Sequence, residues 1–285
     1  MGEDGGGLLW HYTDLATLMA MTGGEEPGGL GRATGGRAPG DRVPCLWAAH
    51  FEYLNDSREF HYARDLLHRA LTDLDGDAER RAALHRLRDR LTEPQEIDPA
   101  AGPFIVCLSS AEDSLSQWRG YGMSRRSVGC AIGFDERALE GLGAERHRVR
   151  YLGDEDGARW IRDNLPYFAQ DHAGGRSEEQ AEQDLYYDLF GYSAQIKHVS
   201  FADEQEERFV WRQDGGHRLW FRTSRFGMTP FVKIPFPRLR EAVRRIRVAP
   251  TQFTEHARVA VAAWAAQEVG EHVEVLSSDS PFRGW

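Results

Sequence analysis

Four short segments of this chain carry side chains in patterns that chemistry requires. Leu8-Leu9-Trp10-His11-Tyr12-Thr13 places an imidazole near the end of a short apolar strand, just before a helix signal from Asp14 to Met21. Alternate residues of a strand face opposite sides, so Leu8, Trp10 and Tyr12 would supply the core contact. His11 would then point toward a cleft or toward solvent. Phe201-x-x-Glu204-x-Glu206-x-Arg208 reads as a strand on which Glu204, Glu206 and Arg208 form a row, with Phe209 and Trp211 on the core-facing side. Two carboxylates beside a guanidinium suit a hydroxylated or cationic substrate, and an exposed Glu204–Arg208 pair of little energetic value is the plain alternative.

Two further segments join these. Ser116-Gln117-Trp118-Arg119-Gly120-Tyr121-Gly122 is dense in polar and aromatic groups among glycines. It reads as a loop in which Arg119 could recognise phosphate or Trp118 could simply pack beneath the turn. Tyr53-Leu54-Asn55-Asp56-x-x-Glu59 reads as a capping box opening a helix, whose N-terminus also attracts anions. The phosphate-binding G-x-x-x-x-G-K-[ST], the nucleophile elbow G-x-S-x-G and the metal motif H-E-x-x-H are all absent from the sequence.

These segments need a scaffold, and the 285 residues are enough to bury a substantial core. Hydrophobic residues make up 41% and charged residues 28%, as in ordinary globular proteins. The net charge of −10 opposes non-specific nucleic-acid binding. The basic runs Arg80 to Arg90 and Arg238 to Arg247 read as solvated helix faces. Cys45, Cys107 and Cys130 lie far apart with no C-x-x-C, so neither a disulfide framework nor a zinc site is expected. With no basic n-region, apolar h-region or membrane-length run, the expected location is the cytoplasm.

Periodicity predicts strands at Val43 to Ala48, Pro103 to Leu108, Val128 to Phe134, His147 to Leu152, Glu206 to Trp211, Leu219 to Thr223, Met228 to Ile234, Ile246 to Val248 and Val273 to Leu276. Helices are expected after Asp56, at Ala78 to Leu91, within a helical insertion at about 154–195, and at Glu255 to Val269. The segment at about 23–42, dominated by Gly, Pro, Arg and Glu, reads as a flexible loop. Strands and helices do not alternate as βαβ units, which disfavours a doubly wound fold. The expectation is a single α+β domain over 1–285, built on a split, mostly antiparallel sheet with helices around it.

Taken in order, HYT, YLND-x-x-E, LSQWRGYG, F-x-x-E-x-E-x-R and the closing Ser278-Asp279-Ser280-Pro281-Phe282-Arg283 resemble the pattern of the bacterial domain-of-unknown-function family 2971. Leu8-Leu9-Trp10-His11 and the following helix also resemble the opening motif of the ADP-ribosyltransferase fold, and Glu204-x-Glu206 resembles its closing Glu-x-Glu. That second resemblance implies an NAD-consuming enzyme, of a kind that serves as a toxin or phage-defence effector, that cleaves the nicotinamide–ribose bond and passes ADP-ribose to a protein, nucleic acid, small molecule or water. It implies NAD as substrate with no metal. Glu206 would grip the ribose 2′-OH and Glu204 would orient the acceptor. His11, with Tyr12 and Thr13, would hold the adenosine ribose. Trp47, Tyr53 or Tyr62 would stack on nicotinamide. Asn55, Gln117, Trp118, Arg119 and Arg208 would complete the binding set, the arginines toward pyrophosphate. Two other classes remain open: a metal-dependent nuclease or phosphodiesterase using Asp113, Glu204 and Glu206, and a non-catalytic nucleotide-binding module.

Overall fold

The computed structural model describes residues 7–23, 43–54, 57–72, 98–121, 127–171, 194–214, 218–224 and 227–280. All but residue 23 of the loop expected at about 23–42, Asn55, the helix and basic run between 78 and 91, residues 177–193 of the helix expected to 195, and Pro281-Phe282-Arg283 lie outside these residues, while 194–195 form a turn and not the end of a helix.

The chain folds as a mixed α/β structure around a mostly antiparallel sheet. Its strands are β1 (Leu8–Asp14), β2 (Cys45–His50), β3 (Ala101–Ser109), β4 (Gly129–Asp135), β5 (Glu145–Arg148), β6 (Arg150–Leu152), β7 (Ile196–His198), β8 (Glu206–Asp214), β9 (Trp220–Ser224), β10 (Gly227–Pro235), β11 (Val243–Val248) and β12 (Glu274–Ser277). The helices are α1 (Leu15–Met21), α2 (Ser57–Thr72), α3 (Leu115–Tyr121), α4 (Glu136–Leu139), α5 (Asp154–Asp171), α6 (Leu239–Ala242) and α7 (Thr254–Glu268). Among them, no helix is long and apolar enough to cross a membrane.

The large sheet runs β12-β11-β4-β1-β3-β2-β10-β9, and β8 and β5 branch from it. All its pairings are antiparallel except β11 with β12, which α7 joins. Such a parallel pair needs a crossover of this length. β6 and β7 form a separate parallel ribbon.

Side-chain alternation explains why these segments are strands. Phe104, Val106 and Leu108 of β3 enter the main core with Phe209 and Trp211 of β8. Ile105 and Val210 face the other way, against Phe51 and Ala194. Both faces of β3 are therefore covered, which its continuous apolar run requires. Trp10 lies opposite Gly133, and a Cβ there would meet the indole at 3.0 Å. α1 starts where Asp14 accepts the Thr17 N–H at 2.8 Å, a side-chain N-cap. The helix buries Leu18 and Met21.

Three local expectations are corrected. The Leu115–Tyr121 segment is a helix, not a loop. Arg238 to Arg247 is not one helix face but divides between α6 and β11, and Arg247 is buried, donating to the Ser277 carbonyl (2.6 Å) and pairing with Glu112 (2.8 Å). His147 to Leu152 is not one strand: the chain there belongs to β5 and β6, which join different sheets.

Candidate functional site

The pairing of β3 creates a gap. One edge of β3 follows β8 along its whole length. The other edge meets β2 only at Phe104 and Ile105, and β1 only at Ser109. Between those contacts neither strand pairs with Val106, Cys107 or Leu108. A cleft of about 690 Å³, its open mouth included, lies over this gap. Its walls come from Trp10, His11 and Tyr12 of β1, Trp47 and Ala49 of β2, Tyr53 and Leu54, Gln117 and Tyr121 of α3, Glu206 of β8, Arg222 of β9 and Thr229 of β10.

His11 and Glu206, 195 positions apart in the sequence, both line this cleft. Trp10 pairs with Ser109, which pairs with Glu206, so Trp10 and Glu206 share one face of the sheet. His11, the next residue, belongs to the other face, opposite the core residue Ile132. The two side chains therefore reach the gap from opposite sides.

The His11 Nδ1 lies 3.1 Å from the Cys107 carbonyl oxygen. A carbonyl only accepts, so Nδ1 carries the hydrogen and Nε2 is left as an acceptor. Burial lowers the imidazole pKa to about 4; the Cys107 carbonyl opposes this and the Arg222 charge adds to it. The ring is thus neutral at pH 7. In the unfolded chain the ordinary histidine value of about 6.5 returns. The unfolded state then takes up a proton as the pH falls from about 6.5 toward 4 while the folded state does not, so His11 costs stability across that window, by at most about 3 kcal/mol. Denaturant melts at pH 7 and pH 5 are expected to show this loss, and His11→Asn to reduce it. An unchanged pH slope in that variant would contradict the assignment.

Glu206 is 4% exposed. Its Oε2 accepts from the Arg208 Nε (3.1 Å) and Nη2 (2.7 Å). Lys197 Nζ stands 3.7 Å from the same oxygen and also pairs with Glu204. Burial works to raise the Glu206 pKa, but the Arg208 and Lys197 charges outweigh it and hold the carboxyl below the usual range. The Cys107 thiol adds a hydrogen bond in the same sense. The Glu206 N–H donates to the Tyr151 Oη at 2.7 Å, and burial pushes that phenol's pKa up. The site therefore holds a fixed, ionised carboxylate whose two cationic neighbours are themselves buried.

The expected row of Glu204, Glu206 and Arg208 is corrected. Glu204 ends a 3₁₀ turn, Val199–Glu204, and the strand begins only at Glu206. Between them Gln205 takes φ 45°, a left-handed conformation that removes Glu204 from the strand's alternation. The turn is pinned from α3 and β3: Ser109 Oγ donates to the Glu204 carbonyl at 2.6 Å, and Gln117 Nε2 at 3.4 Å.

Of the other anticipated residues, Trp47, Tyr53, Gln117 and Tyr12 line the cleft. The Tyr12 hydroxyl, however, donates to the Ala111 carbonyl (2.8 Å) and accepts from the Ser114 N–H (2.9 Å). Thr13 lies on β1 opposite Cys130, outside the lining. Trp118 is fully buried, its Nε1 donating to Asp113 at 2.5 Å and its ring edge-on to Tyr12 at 4.8 Å. Arg119 sits on the exposed flank of α3, and Arg208 is enclosed with Glu206. Tyr62 belongs to α2, where its hydroxyl donates to the Leu152 carbonyl (2.8 Å) and its pKa is pushed up to about 12, chiefly by burial. Trp118, Arg119, Arg208, Tyr62 and Thr13 are thus not cleft-lining residues in this arrangement.

Asp113 is likewise engaged elsewhere. Besides Trp118 it accepts from Ser278 Oγ and the Asp279 N–H, both at 2.6 Å, tying the C-terminal segment to α3. Among the described residues, no three or more His, Cys, Asp or Glu side chains gather as metal ligands. Sequence reasoning missed Lys197, Tyr121, Arg222 and Thr229. The alternation of the predicted strand Leu219 to Thr223 already sets Arg222 on the same face as Trp220. Lys197, one charge between Ile196 and His198, carries no such signal.

No family model, curated protein or solved structure matches this chain.

Proposed function

We propose that the cleft binds NAD and that the protein cleaves its nicotinamide–ribose bond, transferring ADP-ribose to an acceptor or to water. The observation that carries this reading is the meeting of a neutral imidazole and an ionised, enclosed carboxylate in one cleft at the division of the sheet. The interrupted pairing of β1 and β2 along β3 supports a split sheet of the ADP-ribosyltransferase kind.

In this mechanism the C1′–N bond breaks, its electron pair leaves with nicotinamide, and the ribose passes through an oxocarbenium-like cation. The Glu206 carboxylate accepts the ribose 2′-OH and faces the developing positive charge. Fixed electrostatics of this kind is usually the largest catalytic contribution. His11, with Nε2 free to accept, receives a hydroxyl of the adenosine ribose. Trp47 and Tyr53 offer aromatic faces to the cationic nicotinamide ring. The acceptor's nucleophile bonds to C1′ and gives up its proton to solvent; Glu204, paired with Lys197 just outside the cleft lining, orients the acceptor from the rim.

The test is incubation of the full chain with NAD, with and without candidate acceptors and with and without EDTA, following free nicotinamide by chromatography. Release of nicotinamide that survives EDTA is the expected result. NAD bound but never consumed would replace this reading with the binding module, and failure to bind or consume NAD would remove it.

A further inference from the structure

We propose that Arg222 forms the anion subsite of the cleft, where the phosphoryl oxygens of a nucleoside diphosphate group are held. This rests on the NAD reading for its ligand but on separate residues for its evidence. Among the described residues that line the cleft, two side chains carry full charge at neutral pH, Glu206 and Arg222. The Glu206 charge lies among Lys197, Arg208 and Glu204, and those four charges sum to zero. Arg222 makes no ion pair among the described residues. It therefore sets the sign of the field in the cleft, and a low-dielectric wall focuses such a field.

Its surroundings favour a bound anion. Arg222 stands directly opposite Thr229 in the β9–β10 ladder, and both line the cleft. Asp14 is the carboxylate close enough to be felt by the guanidinium, and its Oδ1 already accepts the Thr17 N–H at the start of α1. Arg222 is an exposed residue as a whole, but its guanidinium is enclosed: burial lowers its pKa, and Tyr121 and Asp14 oppose this, so a desolvated planar fork of donors, the geometry that phosphoryl oxygens fit, faces the cleft. Arg222 also bears on the His11 imidazole, which places both groups around one space. A ligand would set its phosphates at the β9–β10 wall and its ribose hydroxyls toward His11 and Glu206.

The experiment uses the full chain, wild type, Arg222→Gln and Arg222→Lys, by isothermal titration calorimetry. The probes are inorganic pyrophosphate, ADP-ribose and nicotinamide riboside, which lacks the diphosphate. Because the enclosed guanidinium has no ion pair among the described residues to lose, the variants are expected to keep at least the wild-type melting temperature. Arg222→Gln should weaken pyrophosphate and ADP-ribose by about tenfold or more, the size of a lost charge-assisted hydrogen bond. It should leave nicotinamide riboside within about twofold and remove most of the salt dependence of ADP-ribose binding. Arg222→Lys should fall between. Wild type failing to bind pyrophosphate and ADP-ribose, or Arg222→Gln binding them as wild type does, overturns the subsite. NAD cleaved equally by wild type and Arg222→Gln overturns it while leaving the NAD reading intact. Arg222-dependent ADP-ribose binding without any nicotinamide release does the reverse.

Discussion

Glu206→Gln is expected to lower nicotinamide release from NAD by at least about a hundredfold, the effect of removing one preorganised electrostatic stabiliser. The substitution keeps the side chain's shape and removes its charge, so it isolates the interaction with the developing cation. It also carries a structural cost that the sequence alone does not suggest. Arg208 is 2% exposed and Lys197 3%, and both lean on this carboxylate. A buried cation that loses its counter-ion is destabilising. Here the loss is partial, since the glutamine oxygen still accepts from Arg208 and Glu204 still pairs with Lys197. A cost on the order of 2 kcal/mol follows. Rates must therefore be expressed per folded molecule, with denaturant melts run beside them. Glu206→Asp, which keeps the charge on a shorter arm, should recover stability better than activity. Folded Glu206→Gln turning over NAD at the wild-type rate would take Glu206 out of the mechanism.

Trp118→Ala should produce the largest loss of stability, about 3–5 kcal/mol, because a fully buried indole leaves both its apolar contacts and a cavity behind. Two specific contacts go with it: the edge-on packing against Tyr12 and the hydrogen bond to Asp113. Asp113 also holds Ser278 and the Asp279 backbone, so α3 and the C-terminal segment are loosened together. Gln117 and Tyr121, which line the cleft from the same helix, lose their anchor. Trp118→Phe keeps an aromatic ring but not the N–H, and should cost less than half as much. Equilibrium denaturation separates the two variants. A loss below about 1 kcal/mol for the alanine variant would show that the surrounding core closes over the vacancy.

Where local pattern and tertiary environment agree, the sequence is a good guide here. The apolar run from Pro103 to Leu108 demands burial on two faces, and the β1 and β8 alternations set Trp10, Phe209 and Trp211 inward. The strands at Met228 to Ile234 and Ile246 to Val248 are legible for the same reason. Local pattern fails at α3, where Gly120 and Gly122 read as loop residues, yet Trp118 and its partners make a helix pay off through packing. It fails again at Gln205, whose left-handed backbone no composition rule marks and which separates Glu204 from the strand. Lys197 and Arg222 escaped notice for a different reason. Their roles come from which strands lie side by side, and the order β2-β10-β9 beside β3 is not written in any local window. Nor is the meeting of three strands on β3, from which the cleft follows.

That order also has a temporal consequence. β1 pairs along its whole length with β4, and β2 along most of its length with β10, so residues 8–14 and 45–50 find their longest partners only after segments near 130 and 230 exist. Non-local pairings close long loops before any reward, which slows barrier crossing. On the ribosome β2 waits with an open edge for β10, so the cleft wall that β9 and β10 supply is added only after β8 has been made.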